Sequence, residues 1–280
     1  MIETLLMPLQ FAFMQKAYLI ASMIAVPTAL LSCFLVLKGW ALMGDAVSHA
    51  VLPGIVIAYV LGLPLIAGAF AAGMTCAVAT GYLAENSRVK RDTVMGVVFS
   101  GMFALGIVLF VWVDTNAHLD HILFGNMLGV GENDLWVAGV VSAIVALGLL
   151  LFWKDLLLQA FDPAQAQALG LRTGLMHYGL LAALSLTIVA TLSSVGLILA
   201  IGLLIAPGAT AFLIVRRFGA MLALSVAICL IGMWAGITLS FWVDAAPAPS
   251  VILMLTAMFL LALVRRIALT RRASAQLSLK

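Results

Sequence analysis

"TGLMHYGLLAALSLTIVATLSSVGLILAIGLLIAPGATAFLIV", residues 173–215, contains no Asp, Glu, Lys or Arg. A helix needs about 20 apolar residues to cross the roughly 30 Å hydrocarbon core of a membrane. This stretch is about twice that long, so it has room for two crossings. Turn-forming residues stand at its midpoint, in "LSSVG" (Leu192 to Gly196). The sequence therefore predicts a reversal of the chain there, with one broken segment that does not span fully as the alternative.

The rest of the chain has the same character, since 65% of its 280 residues are hydrophobic and 9% are charged. Soluble domains carry about 25% charged residues. A second double-length interval turns at "GLPL" (Gly62 to Leu65), and long continuous apolar runs of this kind lack the alternation of a membrane barrel. We predict an all-α polytopic membrane protein, one transmembrane domain over residues 1–280, with eight to nine helices. The charge-free intervals are 17–37, 46–84, 93–113, 135–153, 173–215, 218–243 and 245–264.

The basic residues fall in alternate loops, which predicts the orientation because basic loops stay in the cytoplasm. With the N-terminus outside, only Lys16 is on the outer side. The chain start has Glu3 and no basic cluster, so it lacks the layout of a cleaved signal peptide. The C-terminus is then cytoplasmic. The inside segments hold Lys38, Arg88, Lys90, Arg91, Lys154, Arg172, Arg216, Arg217, Arg265, Arg266, Arg271, Arg272 and Lys280.

"GWALMGDAVSHAV", residues 39–51, places two ionisable side chains in the second crossing. If the helix begins just after Gly39, Asp45 and His49 share one face and His49 lies near mid-membrane. Such residues are costly there and normally face a partner or a pathway. One interpretation is that Asp45 caps the helix and His49 is a hydrogen-bonded core residue. The other is a divalent-metal site, for which one chain supplies too few ligands and a two-fold dimer supplies enough.

A second candidate lies in the long loop 154–174. Asp162 as N-cap, Pro163 in the first turn and Gly170 as terminator predict a helix of about two turns around Ala166. It is either an interfacial helix without a partner or a docking element for a soluble subunit. The chain has no phosphate-binding loop, so nucleotide chemistry must belong to another polypeptide.

Other features are weaker signals. Pro207 and Gly208 predict a kink or break in the membrane near Ala206, either structural or part of a pathway. "GMWAG", residues 232–236, predicts close helix packing. His118 and His121 belong to a loop that we expect to be solvated, and that loop could also guide an incoming cation. We expect His177 to lie at the membrane interface. "LFGNMLG", residues 123–129, predicts a short hairpin. The three cysteines argue against a disulfide framework, because their number is odd and all lie in apolar runs.

Four segments carry a resemblance to a known family. "CFLVLKGWALMGDAVSHAVLPG" (33–54), "HILFGNMLGV" (121–130), "FDPAQAQALGLRTG" (161–174) and "LLIAPGATAFLIVRRF" (203–218) resemble the permease subunits of bacterial manganese, iron and zinc ABC importers. They run in the family's order along nearly the whole chain. Asn126 in "LFGN" makes the resemblance closest to the manganese/iron branch, since zinc permeases tend to have Asp there.

The resemblance implies a type II importer-like permease bundle in the bacterial inner membrane. It further implies a homodimer, two copies of a cytoplasmic ATPase that binds ATP, and an extracytoplasmic metal-binding protein, with no nucleic acid and no permanently bound cofactor. The segment from Asp162 to Gly170 would be the coupling helix, and Asp45 and His49 would coordinate the transported metal. The expected cargo is Mn²⁺, with Fe²⁺ or Zn²⁺ as alternatives.

Two other function classes were compared with this one. A secondary transporter or channel driven by an ion gradient should carry several intramembrane acids, whereas Asp45 is the one acid that the sequence places inside a span. A membrane enzyme is disfavoured because the sequence has no H-E-x-x-H motif and no Ser, His and Asp at one depth.

Overall fold

The computed structural model describes residues 7–113 and 127–277. No strand occurs within these ranges, so the all-α prediction is confirmed. After a 3-10 turn, Met7–Gln10, the elements are α1 (Ala12–Leu37), α2 (Met43–Ala50), α3 (Leu52–Leu61), α4 (Leu65–Asn86), α5 (Arg91–Trp112), α6 (Glu132–Phe161), α7 (Pro163–Ala168), α8 (Thr173–Ile214), α9 (Phe218–Val243) and α10 (Pro247–Leu277).

Nine stretches of the described chain are long and apolar enough to cross a membrane. One of them, Met43–Leu61, combines α2 and α3. Helix α8 supplies two, which we call α8a (Thr173–Leu192) and α8b (Ser194–Ile214). The turn predicted at "GLPL" is confirmed, since Gly62 ends α3 in the left-handed conformation at φ 66°. The higher of the two predicted helix counts therefore agrees with the fold.

Contacts on either side of Gly196 show that α8 doubles back. Gly196 has φ 78° and ψ 170°, a conformation open almost only to glycine. Before it, the His177 ring lies 5.2 Å from the Trp40 ring; after it, the Gly208 N–H donates to Ser32 Oγ at 2.9 Å. A straight helix would separate residues 177 and 208 by about 46 Å. Because Ser32 and Trp40 both belong to the end of α1 and its cap, the predicted reversal is confirmed.

Of the predicted kink or break, the break is wrong, because the backbone at Pro207 and Gly208 remains helical and the interruption lies at Gly196. Ser32 on α1 provides the reason. Its hydroxyl accepts from Gly208 N and donates to the Ile205 carbonyl at 3.1 Å, so a neighbouring helix serves backbone groups beside the proline. A Cβ at Gly208 would lie 2.6 Å from the Ser32 carbonyl carbon, so glycine also permits the close approach.

The start of the second crossing also differs from the prediction. Gly39, at φ 67°, and Trp40 donate backbone hydrogen bonds that close the end of α1. Helix α2 therefore begins at Met43 rather than directly after Gly39. Asp45 and His49 consequently lie only about 3 Å and 9 Å along their helix, nearer to its start than predicted.

The predicted loop 154–174 is shorter than expected, because α6 continues to Phe161. No helix-breaking residue occurs between Lys154 and Phe161. Asp162 precedes a proline, a position that disfavours helical backbone, and the helix ends there.

Helix α1 lies at the centre of one group of helices, packed on α6, α8 and α9, with α10 against α8 and α9. The "GMWAG" prediction is confirmed within this group, since Gly232 lies against Leu255 and Gly236 against Val251. A second group, α2 to α5, joins the first through α8. Helix α2 therefore sits where the two groups meet. The three cysteines are free and buried at positions 33, 76 and 229.

Two glycines set the approach of α3 to α4. A Cβ at Gly54 would overlap the main-chain oxygen of Gly68, and a Cβ at Gly68 would overlap that of Gly54. Ala72 and Ala58 face these glycines across the crossing. The pattern is the small-residue packing of membrane helices, in which backbones come into direct contact.

Gly68→Val is expected to destabilise the bundle, because the added side chain meets backbone that cannot move aside. Overpacking costs about 1–3 kcal/mol, so the melting temperature of the detergent-solubilised protein should fall by about 4 °C or more. Gly101→Val on α5 is the matched control, since a Cβ there meets nothing within 4 Å. Equal melting temperatures for the two variants would contradict the assigned contact.

Candidate metal centre

Helix α2 exposes one stripe of its surface, and that stripe carries both ionisable residues. Met43, Ala46 and Val47 are buried against α4, α5 and α8. Leu42, Asp45 and His49 are the positions left partly or fully open from residue 42 to residue 50. Their spacing of three and four residues places them on one face. The pair therefore lies on a side of α2 that the described residues cover only in part.

Asp45 and His49 contact each other directly. His49 Nε2 lies 3.3 Å from Asp45 Oδ1, and both side chains are about one-third exposed, at 27% and 33% for His49 and Asp45. Asp45 is not the helix cap, because the N-cap position is Leu42 and no side chain caps α2. The carboxylate instead lies in the first turn, where the helix dipole favours negative charge.

Two phenylalanines of α5 hold the His49 ring. The ring centroids of Phe99 and Phe103 lie 5.9 Å and 5.1 Å from that of His49. His49 Nδ1 is buried without a hydrogen-bond partner among the described residues. Buried polar atoms normally have partners, and in this ring only Nε2 has one among the described residues, namely Asp45. Aromatic packing fixes the ring with Nε2 toward Asp45.

The pair offers one carboxylate and one imidazole, a donor set suited to divalent transition metals. Across residues 7–113 and 127–277, no three His, Cys, Asp or Glu side chains group closely enough to hold a metal ion. Such metals usually take four or more ligands. One chain therefore presents an incomplete ligand set on an open face.

The second candidate, α7, has the predicted local structure. Asp162 Oδ1 accepts from the Gln165 N–H at 2.9 Å, and Pro163 occupies the first helical position. Gly170, at φ 81°, ends the helix with Leu171 N–H bonded to the Ala166 carbonyl. These contacts fit an N-cap and a Schellman-type end.

Only part of α7 is available to a partner. Ala166 is fully buried, so it packs α7 onto the bundle and is not part of an exposed docking surface. Leu169 and Phe161, at 66% and 71% exposure, are large apolar side chains at the two ends of the helix. We call Phe161, the exposed residues 162–165 and 167–168, and Leu169 the α7 surface.

Sequence reasoning missed three contributors to these sites. Phe99 and Phe103 have i, i+4 spacing, but this spacing alone does not distinguish a wall around His49 from a lipid-facing stripe. Gln159 is 6% exposed and accepts a hydrogen bond from Lys38 Nζ at 2.7 Å. A polar residue within the apolar run "LLLQAF" is the signal that could have identified it.

Of the other three histidines, one lies within the residues that the structure describes. His177 lies at the start of α8a with its ring against Trp40 and Tyr178. His118, His121 and Asn126, with most of the predicted hairpin 123–129, lie outside the described residues.

Comparisons with known proteins give a consistent result. The profile described as "ABC 3 transport family" matches residues 10–266. The chain is 52% identical over 261 residues to "Chelated iron transport system membrane protein YfeD" of Yersinia pestis, covering 92% of this chain and 86% of that protein. It is 44% identical over 257 residues to "Manganese transport system membrane protein MntB" of Synechocystis sp., with 92% and 84% coverage.

A solved structure has the same fold. The structure titled "PsaBC from Streptococcus pneumoniae in complex with Fab" matches with a TM-score of 0.84 and 36% identity, over 94% of this chain and 95% of that chain. A second structure, titled "An inward-facing conformation of a putative metal-chelate type ABC transporter", matches with a TM-score of 0.69 at 16% identity, which supports the fold alone.

Proposed function

Because this chain belongs to the ABC 3 transport family, we propose that it imports Mn²⁺, delivered by an extracytoplasmic binding protein and driven by ATP hydrolysis on a separate subunit. The chain is a membrane permease subunit of a metal ABC importer, similar to manganese and chelated-iron transport membrane proteins that are 44–52% identical to it. It is therefore a transport subunit rather than an enzyme.

The observation that carries the proposal is the Asp45–His49 pair on the open stripe of α2. Oxygen and nitrogen donors suit manganese and ferrous iron. The Irving–Williams order gives zinc tighter binding than manganese at such a site. Selectivity for Mn²⁺ must then come from coordination geometry and from the protein that delivers the ion.

A second copy of the chain completes the ligand set in this proposal. Two α2 helices facing each other across a two-fold axis would bring two carboxylates and two imidazoles together. In each chain the Asp45 and His49 side chains now contact each other at 3.3 Å. An arriving cation would separate them and bind both, replacing water ligands lost on entry, and it would favour an ionised Asp45 and a neutral His49.

The α7 surface is the proposed docking element for the ATPase. Its orientation follows from the basic loops, which place the N-terminus outside, and α7 with the C-terminus in the cytoplasm of a bacterial inner membrane. ATP binding closes the ATPase dimer, and movement of α7 shifts the bundle between outward- and inward-open states. The ion is then released from Asp45 and His49 on the inner side.

Competitive uptake tests this proposal. The chain is expressed with its ATPase and binding protein in cells that lack their own metal importers, and uptake of labelled Mn²⁺ is measured. We expect ATP-dependent uptake that unlabelled manganese competes for more strongly than equal concentrations of iron or zinc. Stronger competition by zinc or iron would overturn the manganese assignment, and uptake that persists without ATP would overturn the importer mechanism.

A further inference from the structure

A side-chain hydrogen bond joins the end of α6, which leads into α7, to the end of α1, which leads into the candidate metal centre. Lys38 Nζ donates to Gln159 Oε1 at 2.7 Å, across 121 positions of sequence. Gln159 lies on the last turn of α6, three residues before the Asp162 cap of α7. Lys38 is the C-cap of α1, seven residues before Asp45.

The segment between Lys38 and Asp45 is rigid. Trp40 N–H bonds to the Leu35 carbonyl at 2.8 Å, and Met43 N–H bonds to the Trp40 carbonyl at 2.9 Å. The Trp40 ring is 4% exposed and lies 4.6 Å below the Lys38 amine. A displacement of the Lys38 side chain is therefore passed to the first turn of α2 without slack in the turn.

The Gln159 end is equally constrained. Its side chain is 6% exposed, and the backbone bond from Asp162 N–H to the Leu158 carbonyl at 2.8 Å joins α6 to the start of α7. Ala166, fully buried, anchors α7 to the bundle. A movement of α7 must therefore move the end of α6 that holds Gln159.

Helices α1 and α6, whose ends carry Lys38 and Gln159, pack on each other, and an open space lies beside the bond. A cavity of about 550 Å³ lies there, lined by Lys38, Trp40, Gln159, Pro163 and His177 among others. Within the described residues, α2 packs broadly on α4, α5 and α8 but not on α6 or α7. The hydrogen bond lies at the edge of this space, and a charged donor makes it stronger than a bond between neutral groups.

We infer that Lys38 and Gln159 are positioning residues that transmit movement of α7 to Asp45 and His49, so that ATP hydrolysis and metal release occur together. The inference rests on the proposed function. Neither residue contacts the metal. Their role is to keep the end of α6 at a fixed distance from the turn between α1 and α2 while α7 moves.

The test uses the whole importer, reconstituted in liposomes with its ATPase and binding protein, and measures labelled Mn²⁺ imported per ATP hydrolysed. Lys38→Met and Gln159→Leu should each lower this ratio by about tenfold, the effect of losing one charge-assisted hydrogen bond. Both variants should still co-purify with the ATPase. The double variant should fall by less than the product of the two single effects, because both substitutions remove the same bond.

Two further variants separate coupling from damage to the fold. Gln159→Glu keeps an acceptor for Lys38 and should retain a normal ratio. Lys90→Met, which removes an exposed lysine from the turn between α4 and α5, should behave like the unaltered protein. A normal ratio in Lys38→Met and Gln159→Leu, or effects that multiply in the double variant, would overturn the inference. Failure of the proposed function would appear differently, as an unaltered importer that shows no ATP-dependent Mn²⁺ uptake.

Discussion

Asp45→Ala is expected to lower Mn²⁺ uptake by about 100-fold or more. A two-fold dimer would lose both carboxylates at once, and even residues that only support metal ligands contribute about 10–100-fold to affinity or activity. Asp45 lies in the first turn of α2, is partly exposed and makes no cap, so its removal leaves the helix intact. Uptake of labelled Mn²⁺ by the complete importer, normalised to the amount of permease in the membrane, measures the effect.

Two further variants show whether loss of the carboxylate causes the effect of Asp45→Ala. Leu151→Ala shortens an exposed apolar side chain on α6, outside the proposed site, and should transport normally, since Leu151 is 67% exposed. Asp45→Asn keeps the size of the side chain but removes its charge, and it should transport poorly. Co-purification of the ATPase with all three variants should be unchanged. Normal uptake by Asp45→Ala would remove the pair from the transport pathway.

The sequence was most informative where the signal is local. The reversal at Leu192 to Gly196 follows from the length of a charge-free run and the turn residues at its midpoint, and Gly196 does occupy a conformation that favours glycine. The start and end of α7 follow from the cap, proline and glycine spacing around Asp162 and Gly170. Such features depend on residues within a few positions of one another.

Predictions were wrong where a distant partner decides the outcome. Pro207 was expected to kink or break its helix, but the helix continues, and Ser32 on α1 bonds to backbone groups 173 and 176 positions away in the sequence. The distance of Asp45 from the start of its helix was overestimated because the turn after α1 uses residues 39–42 before α2 can begin. No local pattern in the sequence encodes either arrangement.

The candidate site likewise combines a local feature that the sequence predicts with tertiary contacts that it does not. The i, i+4 spacing of Asp45 and His49 predicted that they share a face, and the 3.3 Å contact between them confirms it. The Phe99 and Phe103 rings that hold His49 come from α5, and the Lys38–Gln159 bond joins α1 to α6. These tertiary contacts turn an isolated pair into an oriented one.

Leu169→Lys is expected to abolish association with the ATPase and, with it, Mn²⁺ uptake. Leu169 is a large apolar side chain, 66% exposed at the end of α7. An apolar anchor seated in a partner's cleft contributes about 2 kcal/mol or more, which is about thirtyfold in affinity. Lysine is compatible with the C-terminal end of a helix, so α7 itself should stay folded. Co-purification of tagged ATPase and uptake of labelled Mn²⁺ measure the two effects.

The choice of Leu169 follows from the burial of Ala166. A large side chain at Ala166 would push α7 off the bundle, so its effect would not report on docking. Val89→Lys, in the exposed turn between α4 and α5, is the matched control and should leave association intact. Lipid headgroups at the cytoplasmic surface tolerate a lysine, so Leu169→Lys should not disturb a helix that only lies on the membrane. Loss of association in Leu169→Lys but not in Val89→Lys would therefore point to a protein partner. Full association and uptake in Leu169→Lys would instead identify α7 as an interfacial helix, and the coupling role would have to lie elsewhere in the chain.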